Sequence, residues 1–284
     1  MFFKKKENNF IINEENITDS VIRDFYYEEI NEKINEDEKE VFITDFASNG
    51  NKLIEIKNIC KNFGSGKSEK KVLKDINFDI NFLEHTALLG CNGAGKTVLS
   101  EIICGLNEPT SGEIIRNFDT DNYKKKIGIQ FQDSAYPQGV TVKKVIEFIV
   151  SIYKSKISND ELKALIKIFG IEEIYDKSAT DLSGGQQQRL NLLLSLIHKP
   201  EFIILDELST GLDIKIKSRI KRFIKEYSKK HNITILIVSH DMDEIEYLTN
   251  RIIVMYFGKV YVDASKEEVI EKYGSIQKCI ERYI

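Results

Sequence analysis

Gly90-Cys-Asn-Gly-Ala-Gly-Lys-Thr97 is the stretch on which the reading of this chain turns. Its spacing is Gly-x-x-x-x-Gly-Lys-Thr. The apolar run Thr86-Ala-Leu-Leu89 precedes it, and a helical pattern, Val98–Ile103, follows it. A glycine-rich turn between a strand and a helix lets backbone N–H groups wrap a phosphate, and the helix N-terminus adds a favourable dipole. The candidate phosphate contacts are Gly90, Cys91, Asn92, Gly93, Ala94, Gly95, Lys96, Thr97 and Val98. In such a loop the lysine reaches the β- and γ-phosphates, and the threonine hydroxyl ligates Mg²⁺. A second fragment, Gly66-Lys67-Ser68, lacks the leading glycine because position 61 is lysine, and it reads as a charged turn.

Outward from this loop, short apolar runs alternate with helical patterns. Leu53–Ile56 and Ile76–Ile80 alternate with period two, as half-buried strands do. Thr86–Leu89, Ile127–Phe131, Phe202–Leu205 and Ile233–Val238 read as strands buried on both faces. Ile252–Tyr256 and Lys259–Val262 flank Phe257-Gly258 as a hairpin. Strands alternating with helices imply an α/β fold with a mostly parallel sheet. Between Asp133 and Gln188 the pattern turns helical. Val142, Val145, Ile146 and Ile149 mark one amphipathic face, and Ser158-x-x-Glu161 is a capping box opening a second helix.

The 284 residues are 42% hydrophobic and 30% charged, an ordinary globular balance. No run approaches the ~18 apolar residues of a spanning helix. The start, Met1-Phe-Phe-Lys-Lys-Lys6, does not read as a secretory signal. Cys60, Cys91, Cys104 and Cys279 are scattered and read as reduced thiols of a cytosolic protein. Residues 1–50 hold 6 Lys/Arg against 13 Asp/Glu, whereas the rest is slightly basic. Neither balance suggests a nucleic-acid footprint. The acidic extension has helical spacing at Ile17, Val21, Phe25, Ile30 and Ile34. It reads as a solvated, partly helical or disordered tail, or as an amphipathic helix that docks on a partner. Asn49-Gly50-Asn51 marks its boundary.

Phe202-Ile-Ile-Leu-Asp-Glu207 places Asp206 at the end of a strand, where ligands bind in open parallel sheets. Asp206 can hold Mg²⁺ there, and Glu207 beside it can polarise an attacking water. The alternative is an acidic pair capping a helix. Ser183 and Gln186 form a capping box, but this does not explain the consecutive glycines Gly184 and Gly185 at an exposed helix start, a second phosphate-binding surface.

With Leu182-Ser-Gly-Gly-Gln-Gln-Gln-Arg189 and Ser239-His240-Asp241 in this order, residues 53–262 resemble the ATPase subunit of an ATP-binding cassette (ABC) transporter. The resemblance implies a P-loop NTPase core with a mostly parallel sheet, an antiparallel β subdomain and a helical subdomain. It implies an ATPase domain over 51–264, helical between about 133 and 188, with 265–284 as a short helical tail. By the same resemblance Gln132 senses Mg²⁺ and water, with Gln130 as its rival, and His240 contacts the γ-phosphate. Asp213 belongs to the loop that communicates across a dimer, or caps the helix beginning near Ile214, or both. Phe63 stacks on adenine, or is a core residue near a turn. Ser183, Gly184, Gly185 and Gln186 serve the ATP of a second subunit in a head-to-tail sandwich, with Ser183 and Gly185 touching its γ-phosphate.

Three positions depart from the family pattern: Leu208, Val98 and Leu83 stand where proline, a second hydroxyl residue and glycine are common. None removes a catalytic group. The implied cofactors are ATP and Mg²⁺. The implied partners are a second ATPase subunit and a transmembrane permease, met through Asp133–Gly139 at the cytoplasmic face of the membrane; no nucleic acid is expected. The stretch from Asp263 to Ser275 resembles export-type ATPases, so export is the expected direction. Import of an ion or small nutrient, or action on ribosomes or DNA, are the alternatives.

Overall fold

The computed structural model describes residues 39–45, 50–64, 66–120, 122–130, 135–208 and 211–283. The chain divides into Met1–Glu40 and Val41–Ile284. The helical pattern of the acidic extension, Gln132 and Asp133 all lie outside the described residues.

In chain order the strands are β1 (Phe42–Ile43), β2 (Lys52–Phe63), β3 (Lys70–Asn81), β4 (His85–Gly90), β5 (Ser111–Arg116), β6 (Ile127–Gln130), β7 (Phe202–Asp206), β8 (Thr234–Val238), β9 (Arg251–Tyr256) and β10 (Lys259–Ser265). The helices are α1 (Lys96–Ile103), α2 (Val142–Tyr153), α3 (Asn159–Ile168), α4 (Gly184–Leu196), α5 (Ile214–His231), α6 (Met242–Leu248), α7 (Lys266–Tyr273) and α8 (Ile276–Glu281). The large sheet has the order β1-β10-β9-β4-β8-β7-β6. All its pairings are parallel except the β9–β10 hairpin. A separate antiparallel sheet has the order β3-β2-β5.

Periodicity explains this layering. Strands β7, β8 and β9 are apolar at successive positions and buried along their whole length, as strands covered on both faces must be. One part of the core fills the space between the two sheets and α1, with Leu53, Ile76, Leu99, Ile102 and Phe202. Another gathers Val142, Ile146, Ile166, Leu193 and Ile220 from α2, α3, α4 and α5 against β7 and β8. Helix α4 is buried along most of its length from Gln188 onward, the polar Gln188, Asn191 and Ser195 included.

The strand order fixes the site. β4 lies next to β8, and β8 next to β7, all parallel. Their carboxyl ends therefore face the same way, and the segments after Gly90, Asp206 and Val238 emerge side by side. At the opposite end of β4, Arg251 spans two carboxylates. It reaches Asp263 at 2.6 and 2.7 Å and Glu84 at 2.7 Å, all buried. Such a cluster is stable only because each charge is paired and hydrogen-bonded.

Residues 42–43 differ from the expected tail. Phe42 and Ile43 add a parallel strand to β10. Thr44 N donates to Asp263 O at 2.9 Å and its hydroxyl to Glu268 at 3.0 Å. Phe42 packs edge-on to Tyr273, with Lys272 over its ring. Two residues are too few to show a period, so the strand has no local signature; long-range pairing makes it.

Candidate nucleotide and catalytic site

The loop after β4 is built around backbone that only glycine tolerates. Gly90 has φ 142, and a Cβ there would lie 2.0 Å from Met255 O of the neighbouring strand β9. Helix α1 then begins at Gly95 with no side-chain cap. Helices α2 to α8 each carry one, from Thr141, Ser158, Ser183, Asp213, Asp241, Ser265 and Ser275. An uncapped helix start presents N–H donors and the positive end of the dipole, which is what an anion needs. Ala94 is buried under the loop, whereas Asn92, Gly93 and Thr97 are exposed at its surface and Val98 is half-buried.

Lys96 is buried and folds back on the loop, donating to Gly90 O at 2.6 Å and Cys91 O at 3.1 Å. Burial draws its ammonium below the usual lysine range, against the attraction of Cys91, Asp206 and Glu207. Asp206 ends β7 with only 7% exposure. Burial first, and the Glu207 carboxylate second, push its carboxyl up to about 6, with Lys96 opposing. A carboxylate so short of countercharge fits a divalent cation. Among the described residues no cluster of three or more His, Cys, Asp or Glu side chains could hold a metal. An ion here would draw on Thr97, Asp206 and phosphate oxygens, a ligand set Mg²⁺ commonly uses.

Glu207 follows with φ 55, a left-handed conformation. Its N–H donates to Val238 O at 2.7 Å, and its carbonyl accepts from Gln188 Nε2. His240 is exposed just after β8. Partial burial of the ring and the Lys96 cation lower its pKa, with Glu207 opposing. Lys96 thus lies within electrostatic reach of Asp206, Glu207 and His240, and Glu207 within reach of Asp206 and His240.

Both expected capping boxes are present, at Ser158–Glu161 and Ser183–Gln186. At the second, Gln186 N donates to Ser183 Oγ at 3.4 Å and Ser183 N to Gln186 Oε1 at 3.1 Å. Gly184 faces open space, but a Cβ on Gly185 would lie 2.5 Å from Gly211 O. The second glycine therefore also serves close packing on the loop that leads to Asp213. Asp213 Oδ1 caps α5, accepting from Lys215 N at 3.1 Å and Ile216 N at 3.0 Å. Phe63 ends β2 with 42% exposure, with Lys61 Nζ 5.1 Å from its ring centroid, so it is not a core residue. Gln130 is fully buried and donates to Asp206 O at 3.3 Å. Sequence reasoning passed over Gln188 altogether. Its one signal is its place just before the buried stretch Leu190–Leu193 of α4.

Against known proteins, the ABC transporter family model matches residues 73–210. The energy-coupling factor transporter ATP-binding protein EcfA2 of Clostridium tetani is 33% identical over 225 residues, covering 74% of this chain and 77% of the relative. The spermidine/putrescine import ATP-binding protein PotA of Spiroplasma citri is 34% identical over 223 residues, covering 76% of this chain. The chain spans 63% of that relative's length. Among solved structures, a dimeric post-hydrolysis state of the ATP-binding cassette MJ0796 bound to ADP and Pi superposes with TM-score 0.66 at 26% identity. It covers 75% of this chain and 98% of that one. The uncapped glycine loop after β4, the acidic pair at the end of β7 and this shared identity have one explanation: the chain belongs to the ABC transporter family.

Proposed function

We propose that this chain hydrolyses Mg²⁺–ATP to drive substrate movement through a separate membrane permease, working as a head-to-tail dimer. The observation that carries the reading is the convergence of Lys96, Asp206, Glu207 and His240 at the adjacent carboxyl ends of β4, β7 and β8. Bound Mg²⁺ would supply charge neutralisation across the β- and γ-phosphate oxygens. The Lys96 ammonium exchanges its carbonyl partners, Gly90 and Cys91, for those oxygens. Thr97 and Asp206 would hold the ion, and Gln132 is read as the residue that senses it. Glu207 orients the attacking water and takes its proton, while His240 donates to the γ-phosphate. Ser183, Gly184, Gly185 and Gln186 face the ATP of the second subunit, and Asp213 lies in the loop packed on Gly185. The dimeric ADP- and Pi-bound form of the MJ0796 cassette supports this sandwich.

Phe63 is read as the adenine platform. Stacking contributes about 0.5–1.5 kcal/mol, so Phe63→Ala is expected to weaken ATP binding about 2–10-fold with turnover at saturating ATP unchanged. A nucleotide titration checks this, and an unchanged Kd removes the stacking role.

No helix among the described residues is long and apolar enough to cross a membrane. The reading assigns the pathway to a partner, at whose cytoplasmic face this chain would sit. The spermidine/putrescine relative is an import protein. That name favours import of a small nutrient over the export suggested by the stretch from Asp263 to Ser275. The test is to tag the chain in its native cell and identify what co-purifies from detergent-solubilised membranes. A multi-span permease is the expected result. Ribosomal or DNA-repair proteins without a membrane protein would overturn the transporter reading and leave the ATPase.

A further inference from the structure

The carbonyl oxygens of Asp206 and Glu207 are each taken by a buried glutamine, and the two glutamines come from different parts of the fold. Gln130, at the end of β6, donates to Asp206 O. Gln188, in the second turn of α4, donates to Glu207 O. Gln188 is 5% exposed, so its amide is committed to the interior. The backbone of the metal-side aspartate is thus tied to the sheet, whereas that of the neighbouring glutamate is tied to the helix that begins with Ser183.

Glu207 needs such a tie. A residue with a Cβ holds a left-handed conformation only where its surroundings over-determine it, and such positions cluster at active sites. Here β8 takes the N–H at Val238 O, Gln188 takes the carbonyl, and Leu208 beyond it is fully buried. Helix α4 also touches the loop further on, where Gly185 packs on Gly211. One rigid helix therefore begins at the surface read as facing the second subunit's ATP and, about 7.5 Å along its axis, grips this chain's own glutamate.

We propose that Gln188 is a positioning residue: it makes the alignment of Glu207 depend on the placement of α4, so that ATP held against Ser183–Gly185 sets the base in the same chain. The inference rests on the reading of Glu207 as the base. Coupling of this kind is reciprocal in its free energies, so loss of the clamp also loosens the response of α4 to the state of Glu207.

The test compares the full-length chain with Gln188→Met, Gln188→Glu and Glu207→Gln in single-turnover hydrolysis, nucleotide titration and hydrogen exchange over residues 205–212. Methionine keeps the length and removes the donor. A misplaced reacting group costs up to about 10²-fold. Gln188→Met is expected to lower kcat by about 10–100-fold with KM changed less than about twofold, the pattern of a lost transition-state interaction. Protection should fall in residues 205–212 and hold elsewhere. A protonated glutamate can donate where an ionised one cannot. The Gln188→Glu rate, divided by the unsubstituted rate at each pH, should therefore climb as pH falls from about 8 to about 5.5. If Gln188→Met does not fold, this ratio decides. Unchanged kcat in both Gln188 variants, with Glu207→Gln inactive, overturns the clamp and leaves the base. Full turnover in Glu207→Gln overturns the base and the clamp with it. Loss of exchange protection across the whole chain, with kcat and KM shifted together, reduces Gln188 to a structural residue and also overturns the proposal.

Discussion

Glu207→Gln is expected to lower ATP turnover by about 10²–10⁴-fold, the usual contribution of a positioned base, while ATP binding is retained. The substitution keeps the shape of the side chain and its ability to hydrogen-bond a water, but removes the group that takes the proton. Nothing that shapes the backbone is touched. The N–H remains on Val238 O and the carbonyl on Gln188, so the glutamine occupies the same left-handed position. The phosphate loop and Asp206 are also unchanged, which is why affinity should persist. With hydrolysis blocked, ATP stays in the sandwich and the dimer accumulates. Size-exclusion chromatography in ATP and Mg²⁺ should shift from monomer to dimer for the variant more than for the unsubstituted chain. Turnover within about twofold of normal would remove Glu207 as base. Monomer alone, also with the membrane partner present, would remove the sandwich.

How far the sequence disclosed all this depends on the range of the interactions involved. Features determined by neighbours a few residues apart were legible. The capping boxes at Ser158 and Ser183 need only a residue three positions on. The hairpin at Phe257-Gly258 needs two consecutive residues able to take positive φ, and both do, at 44 and 80. The parallel core followed from strands apolar at every position. Features made by distant contacts were not legible. Gln130 and Asp206 are 76 residues apart, and Glu84 and Arg251 are 167 apart. Arg251 opens a strand otherwise apolar to its end, and only the partner strands show why a charge is tolerated there. Gln188 sits among three consecutive glutamines, and no local pattern distinguishes the one whose amide turns inward. The candidate site residues stand out in the sequence because phosphate chemistry demands particular residue types in a row. The side chains that hold them are drawn from whichever element the fold brings near.

Asp206→Asn should separate the cost of this site from its use. In the folded chain the carboxyl titrates near 6, above its ordinary value of 3.8, chiefly because it is buried and then because Glu207 repels it. The folded state therefore keeps a proton that the unfolded state gives up between those values. The contribution of Asp206 to stability is fully present below pH ~4 and lost as pH rises through ~6. At pH 8 without Mg²⁺, the ionised side chain costs at most about 3 kcal/mol, two pKa units at 1.36 kcal/mol each. Asparagine, similar in size and uncharged, avoids that cost. The variant should melt several degrees higher at pH 8, at about 2–4 °C per kcal/mol, and the gap should close by pH ~4, where the native carboxyl is protonated too. Mg²⁺ and ATP should reverse the order, because a ligand that binds only the folded state stabilises the chain that holds it more tightly. Turnover of the variant should fall by at least about 10²-fold, since the ion that neutralises the phosphates loses its carboxylate. Melting curves at pH 8 and pH 4, with and without Mg²⁺–ATP, decide the matter. A variant that melts lower than the native chain at pH 8 in the absence of Mg²⁺ would mean that Lys96 already neutralises Asp206, and the case for a cation at this carboxylate would fall with it.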